Sequence, residues 1–427
     1  MKILQEIFES QIQKYWSVER IGAKLIEHKM KALGVNPTPK QIASIKSHLK
    51  KRKSGTVRFK LNAEQDQVLL ASKVAGGEPI RNLTIDFDDT DSSAEVLMHE
   101  FREGLSQIIP EIVVKQSALL LKRLKRNAPE MLKRRRGETS AFESRLAKRW
   151  RKGMDLLEAF LEISLEAGSD FNQEFRAEAT QQHDHVFEVL TRLHARACQI
   201  SSEILALLRA GHADGAHARW RSLHEITIVG MLIRSGGTEI AERYLLHDGI
   251  ESYKAALLYR EQSDRLGYEP MTDEEFQTVE ARYQQLLSRF GLSYRREYGW
   301  AATALNKENP TFRDLEDHVQ LMHLRPFYKM ASHNVHANPK GVFFKLGLYP
   351  AGEEVLLAGP SDMGLADPAD GTAISLGQIT ITLLMTRPNI DRLVISETLM
   401  TLGREIGETF LKIQLALEKS DQEMRDR

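Results

Sequence analysis

Arg221 and Glu225 stand four residues apart in a helical pattern, so they share one face across a single turn. Tyr328, Ser332 and His336 repeat that spacing about a hundred positions later, and Asn338 follows at the expected end of their helix. Unpaired in an interior, these groups would cost roughly 1–3 kcal/mol for each neutral one and more for each charge. They must therefore bond one another or line a cleft. The first outcome is a buried polar network that fixes helix register. The second is a ligand or catalytic site. The central expectation is that these two sets face each other.

Arg219 and His224 lie on the same helix as Arg221, five positions apart. Five steps of a regular helix turn by about 500°, which leaves them about 140° apart and unable to enter one pocket from a single chain. Other candidates carry less. Asp86-Phe87-Asp88-Asp89-Thr90 has the string of a haloacid-dehalogenase-type nucleophile loop, but nothing downstream reads as the βαβ units such a loop requires. His183-Asp184-His185 lacks a third metal ligand of suitable spacing and reads as a polar helix start. His99-Glu100 has no second histidine at zinc-protease spacing. Cys198 falls within a helical pattern and reads as a small core residue. Between Lys115 and Lys152 the chain carries 14 basic residues against 3 acidic ones, Arg134, Arg135, Arg136, Lys148 and Arg149 among them. Such a block can hold phosphates, or can be a solvated face paired with acidic residues elsewhere.

The elements that position these residues are helices. Val186, Leu190, Leu193, Ala197, Ile200, Ile204 and Leu207 step by four and three, leaving one apolar stripe. Gly211 suits the end of that helix, and the next runs from about Ala213 to Gly236-Gly237. So short a turn predicts an antiparallel hairpin. Helices are predicted over 238–263, 272–290, 311–322, 325–337, 368–386 and 388–422. Thr272 and Glu275 give a capping box. Upstream, helices are predicted over 1–33 and from Thr38 to Lys53, then from Ser92 to about Lys133 with a break at Pro110, and from Thr139 to Glu166. Thr56–Leu61 and Leu83–Phe87 alternate as strands would, with turn residues at Gly76–Pro79 between them. Val342–Leu346 and Val355–Leu357 suggest a hairpin or ordered loop.

The chain has 427 residues, 42% apolar and 28% charged, with 59 basic and 59 acidic side chains. That is an ordinary globular composition, and the length predicts two or three units, read as 1–91, 92–179 and 180–427. A single cysteine excludes an intrachain disulfide and a multi-cysteine zinc site. No apolar run approaches the ~18–20 residues of a membrane span, and the N-terminus lacks a signal peptide's apolar core. A cytoplasmic protein with no cofactor, no metal and no membrane contact is expected.

Several pieces in order resemble the uncharacterised bacterial family DUF5677: Ala206–Gly215, Ala218–Glu225, Ala241–Leu245, Ser332-His333-Asn334-Val335-His336-Ala337-Asn338 and Gly364–Pro368. The similarity covers about residues 180–390. That family in turn resembles the HEPN-like helical bundles, many of them metal-independent ribonucleases of toxin or phage-defence systems. The resemblance implies a mainly α fold: a HEPN-like helical bundle with an N-terminal helical region and a small β element. It implies His336 or His224 as acid/base and Arg221 or Arg219 as phosphate clamp, with Glu225 and Ser332 beside them and Tyr328, His333 and Asn338 contacting ligand. RNA or another polyanion is the expected partner, held by the basic block, and a homodimer is expected because HEPN-like sites pair across a twofold. The Arg219-to-His224 spacing matches the family signature literally, though within a regular helix. The rival is a non-catalytic binding or interaction protein whose polar cluster is structural.

Overall fold

A computed structural model describes residues 18–32, 34–51, 56–62, 65, 82–86, 94–336, 338–348 and 356–426. The chain divides into two compact units, 1–134 and 135–427, where the sequence had suggested boundaries at 91/92 and 179/180.

In the first unit, α1 (Val18–Ala32) and α2 (Pro39–Lys51) pack together. Ala23, Ile26 and Met30 meet Ile45 and Leu49 in a small core of their own. β1 (Thr56–Lys60) pairs antiparallel with β2 (Asn82–Asp86), Thr56 opposite Asp86. Asp86 thus ends a strand, while residues 87–90 of the dehalogenase-like string, and the turn at 76–79, lie outside the described residues. Gln65 ties this region together, donating to the Asn36 carbonyl at 2.6 Å and to Gln41 at 2.9 Å.

α3 runs unbroken from Ala94 to Gln182. The break expected at Pro110 does not occur, and Pro129 also lies within the helix. Each proline forfeits one backbone hydrogen bond, and the bonds on either side carry the helix through. From Leu146 onward one face is buried, through Trp150, Met154, Leu157 and Phe160.

The second unit is a helical bundle. α4 (His185–Arg209) and α5 (Ala213–Leu246) form the antiparallel hairpin. α4 buries Leu190, Leu193, Ala197, Ile200 and Ile204 of the predicted stripe, while Val186 and Leu207 at its ends are half-buried and Leu208 is buried in place of Leu207. Gly211 has φ of 78°, and the His212 N–H reaches back to the Leu207 carbonyl at 2.9 Å, so the left-handed residue closes the helix as glycine allows. Gly237 (φ 67°) kinks α5 where the sequence had placed its end. α6 (Asp248–Leu266) and α7 (Asp273–Phe290) follow, the latter opened by the expected Thr272–Glu275 capping box. α8 (Phe312–His318), α9 (Arg325–Val335) and α10 (Pro339–Phe343) come next. Val342 and Phe343 therefore sit in a short helix rather than a strand, while residues 349–355 lie outside the described residues. α11 (Ala366–Leu384) and α12 (Ile390–Arg425) complete the bundle. No helix among the described residues is long and apolar enough to cross a membrane.

Candidate functional site

α9 packs on α5, and the early polar part of α5 meets the tyrosine face of α9 as the spacing anticipated. Glu225 is the hub. One of its oxygens, Oε1, accepts from Arg221 Nε at 3.0 Å and from the Tyr328 hydroxyl at 2.7 Å. The Arg221 guanidinium lies 5.0 Å from the centre of the Tyr328 ring, a cation–π contact. Its Nη1 stands 3.4 Å from His336 Nε2. For that contact to be a hydrogen bond the imidazole must be neutral, with Nε2 unprotonated and accepting. Burial, and then the hydrogen bond to Glu225, push the Tyr328 hydroxyl up to about 12, so it stays a donor at neutral pH. Arg221 and Glu225 are half-buried, and His336 is exposed. The cluster is thus bonded within itself yet opens to solvent at the imidazole.

His336 does not continue the helix face on which Tyr328 and Ser332 lie. It caps α9 with extended backbone (φ −103°, ψ 150°). Ser332 turns its hydroxyl back to the Tyr328 carbonyl at 2.8 Å. Asn338 caps α10, accepting from the Lys340 N–H at 3.0 Å. His333 is half-buried, and its carbonyl lies where a Cβ on Gly341 would be, 2.1 Å away. Gly341 therefore lets α10 press against the end of α9 that carries His336. Gly341→Ala is expected to cost about 1–3 kcal/mol of stability through overpacking. It should also displace His336 from Arg221. Denaturant titration, with His336 followed by NMR chemical shift, checks both parts.

Arg219 and His224 are not brought together. Arg219 pairs with Glu203 of α4. His224 is fully enclosed, its Nε2 3.2 Å from Glu316 Oε1, and Glu316, also fully enclosed, takes Arg325 on its other oxygen. An enclosed imidazole cannot reach a substrate in this arrangement, and the two side chains part as the angle of about 140° between them on the helix requires. His217 stacks on Trp220 with ring centres 5.4 Å apart, and the His224 ring lies tilted to Trp220 at 5.3 Å. Trp220 Nε1 donates to Ser375 Oγ at 3.0 Å and so locks α5 to α11. Sequence reasoning missed Glu316 as the partner of His224. The one available signal was the general need of a buried imidazole for an acceptor, and it names no position.

Of the basic block, Arg134 belongs to the first unit. Arg135 pairs with Glu138 at 3.7 Å, and Arg136 is exposed. Lys148 and Arg149 line a groove of about 840 Å³ between α3 and α12, together with Arg151, Lys152 and Lys412. Asp362 pairs with Arg149, and Glu405 is 3.9 Å from Lys152. Asp184 of the histidine–aspartate–histidine triplet is the N-cap of α4, accepting from the Phe187 N–H at 3.0 Å, and it also pairs with Arg387. Among the described residues no three ligating side chains are grouped to hold a metal ion. Cys198 is buried in the core, and burial drives its thiol up to about 12.

The molecule is thus a helical-bundle protein with an arginine–glutamate–tyrosine–histidine cluster where two helices cross. Residues 187–347, which include that cluster, match the model of DUF5677, a family of unknown function. No curated protein and no solved structure matches the chain.

Proposed function

We propose that the Arg221–Glu225–Tyr328–His336 cluster is an RNA-cleaving site in a HEPN-like bundle, working without a metal. The observation that carries this reading is the 3.4 Å approach of Arg221 Nη1 to Nε2 of the exposed His336. A neutral imidazole open to solvent beside a fixed cation is what cleavage through the 2′-hydroxyl needs. His336 takes the 2′-hydroxyl proton, and the oxygen bonds to phosphorus. The bond to the 5′-oxygen breaks, and that oxygen takes a proton back. Arg221 neutralises the phosphate, while Glu225 and Tyr328 hold the guanidinium. Ser332, His333 and Asn338 border the site, and Lys148 and Arg149 in their groove, with Arg134, Arg135 and Arg136, gather the polyanion. Pairing of two copies belongs to the same reading, as does a role in bacterial stress or phage defence in the cytoplasm. Arg219 and His224 support the fold in it.

The test is incubation of the purified protein with total RNA, with and without EDTA. Cleavage should persist in EDTA and leave 5′-hydroxyl ends. His336→Ala should slow it about 10²–10⁴-fold, the range for a lost general acid–base group. No cleavage at high protein concentration, or equal cleavage by His336→Ala, overturns the reading. One observation favours a second reading: a single Glu225 oxygen is shared by Arg221 and Tyr328. A latch that fixes α5 against α9 would do the same. Under it, Glu225→Gln lowers stability while RNA neither binds nor is cut.

A further inference from the structure

We propose that residues 114–131 of α3 pair with the same residues of a second copy of this chain as an antiparallel coiled coil. The inference gives a surface to the pairing of two copies that the RNA reading includes, and it rests on none of the cleavage chemistry. In this stretch α3 leaves large apolar side chains open: Val114 is 67% exposed, Leu121 52%, Leu124 54% and Met131 51%. Together with Ser117 and Ala128 they step by three and four, the 3.5-residue repeat of a coiled-coil seam. Leu120 and Leu132, also exposed, border the seam. Ser117 donates its hydroxyl to the Val114 carbonyl at 2.9 Å, so it can enter a dry contact already satisfied.

The stripe is its own complement when reversed. Turned end for end about the middle of the stretch, it sets Val114 against Met131, Ser117 against Ala128 and Leu121 against Leu124. Large meets large and small meets small in every layer, as a twofold interface requires. Charge selects this direction. Lys115, Lys122, Arg123, Arg126 and Lys133 fall outside the seam, and Lys125 at its edge would face Ala118. Parallel pairing would put the two Lys133–Arg136 runs side by side. Antiparallel pairing moves them about 36 Å apart at 1.5 Å per residue, well beyond the ~10 Å over which exposed charges interact in 0.1 M salt.

The full chain should sediment at low micromolar concentration at twice its 48.6 kDa. Leu121→Glu with Leu124→Glu should halve that mass without loss of helical circular dichroism, since both side chains are exposed in the single chain. Orientation is read by cross-linking. Val114→Cys mixed with Met131→Cys should form a disulfide-linked dimer, whereas neither should link to itself, because equal positions would lie about 26 Å apart along the axis. A monomeric wild-type chain overturns the proposal, as does a dimer that survives the double glutamate variant or a link between equal positions. A monomer that floats with phosphatidylglycerol vesicles, and ceases to in the double variant, also overturns it and assigns the face to an anionic lipid surface.

Discussion

Glu316→Ala is expected to lower the unfolding free energy by about 3–5 kcal/mol, the range for breaking a buried ion pair from one side. Glu316 is fully enclosed and holds Arg325 on one oxygen and His224 on the other. Removing it leaves a guanidinium that is largely shielded from solvent with no counter-charge, and an enclosed imidazole with no partner on Nε2. The effect should reach the candidate site, because Arg325 also lies over the Tyr328 ring, 5.8 Å from its centre. Chemical denaturation of wild type and variant gives the free energy. A loss below 1 kcal/mol would mean that water already reaches this pair. Glu316→Gln keeps an acceptor for His224 and should fall between the two.

The second large effect is acid destabilisation centred on two other histidines. Burial pulls His194 and His217 each down to about 4 from an ordinary value of 6.5. His194 has Thr380 Oγ1 at 3.1 Å, and the Nδ1 of His217 has no partner. Above pH 6.5 both imidazoles are neutral in the folded and the unfolded chain, and they add no slope. Between pH 6.5 and 4 only the unfolded chain takes up the protons, so stability falls as pH falls. A depression of about 2.5 units is worth about 3 kcal/mol per histidine at 1.36 kcal/mol per unit. The pair should therefore remove roughly 6 kcal/mol by pH 4, less whatever the folded state recovers by relaxing. His217→Leu should remove about one proton from the slope of unfolding free energy against pH. An unchanged slope in that variant would show that His217 titrates normally when folded.

The hairpin at Gly211 was legible because its signals are local. A three-and-four apolar repeat, a glycine and a short turn fix two helices and their direction. The Arg221–Glu225 pair was legible for the same reason, being one turn apart on one helix. Its meeting with Tyr328 and His336 followed from the cost of leaving such groups unpaired. Other features depended on distant parts of the chain. His224 and Glu316 are 92 positions apart, and no periodicity links a buried histidine to its acceptor. His336 kept its place near Arg221 but left the helical face assumed for it, because α9 ends at Val335. Pro110 misled because a proline inside an exposed helix costs stability without dictating a break.

Cys198 has a use outside any catalytic reading. It is the chain's single thiol, enclosed with His194 3.8 Å away and held in its unreactive protonated form. An alkylating reagent can meet it only while α4 parts from its neighbours, so the labelling rate in native buffer clocks the opening of the bundle. That stopwatch comes built in, with no engineered probe and no other sulfhydryl to confuse the signal.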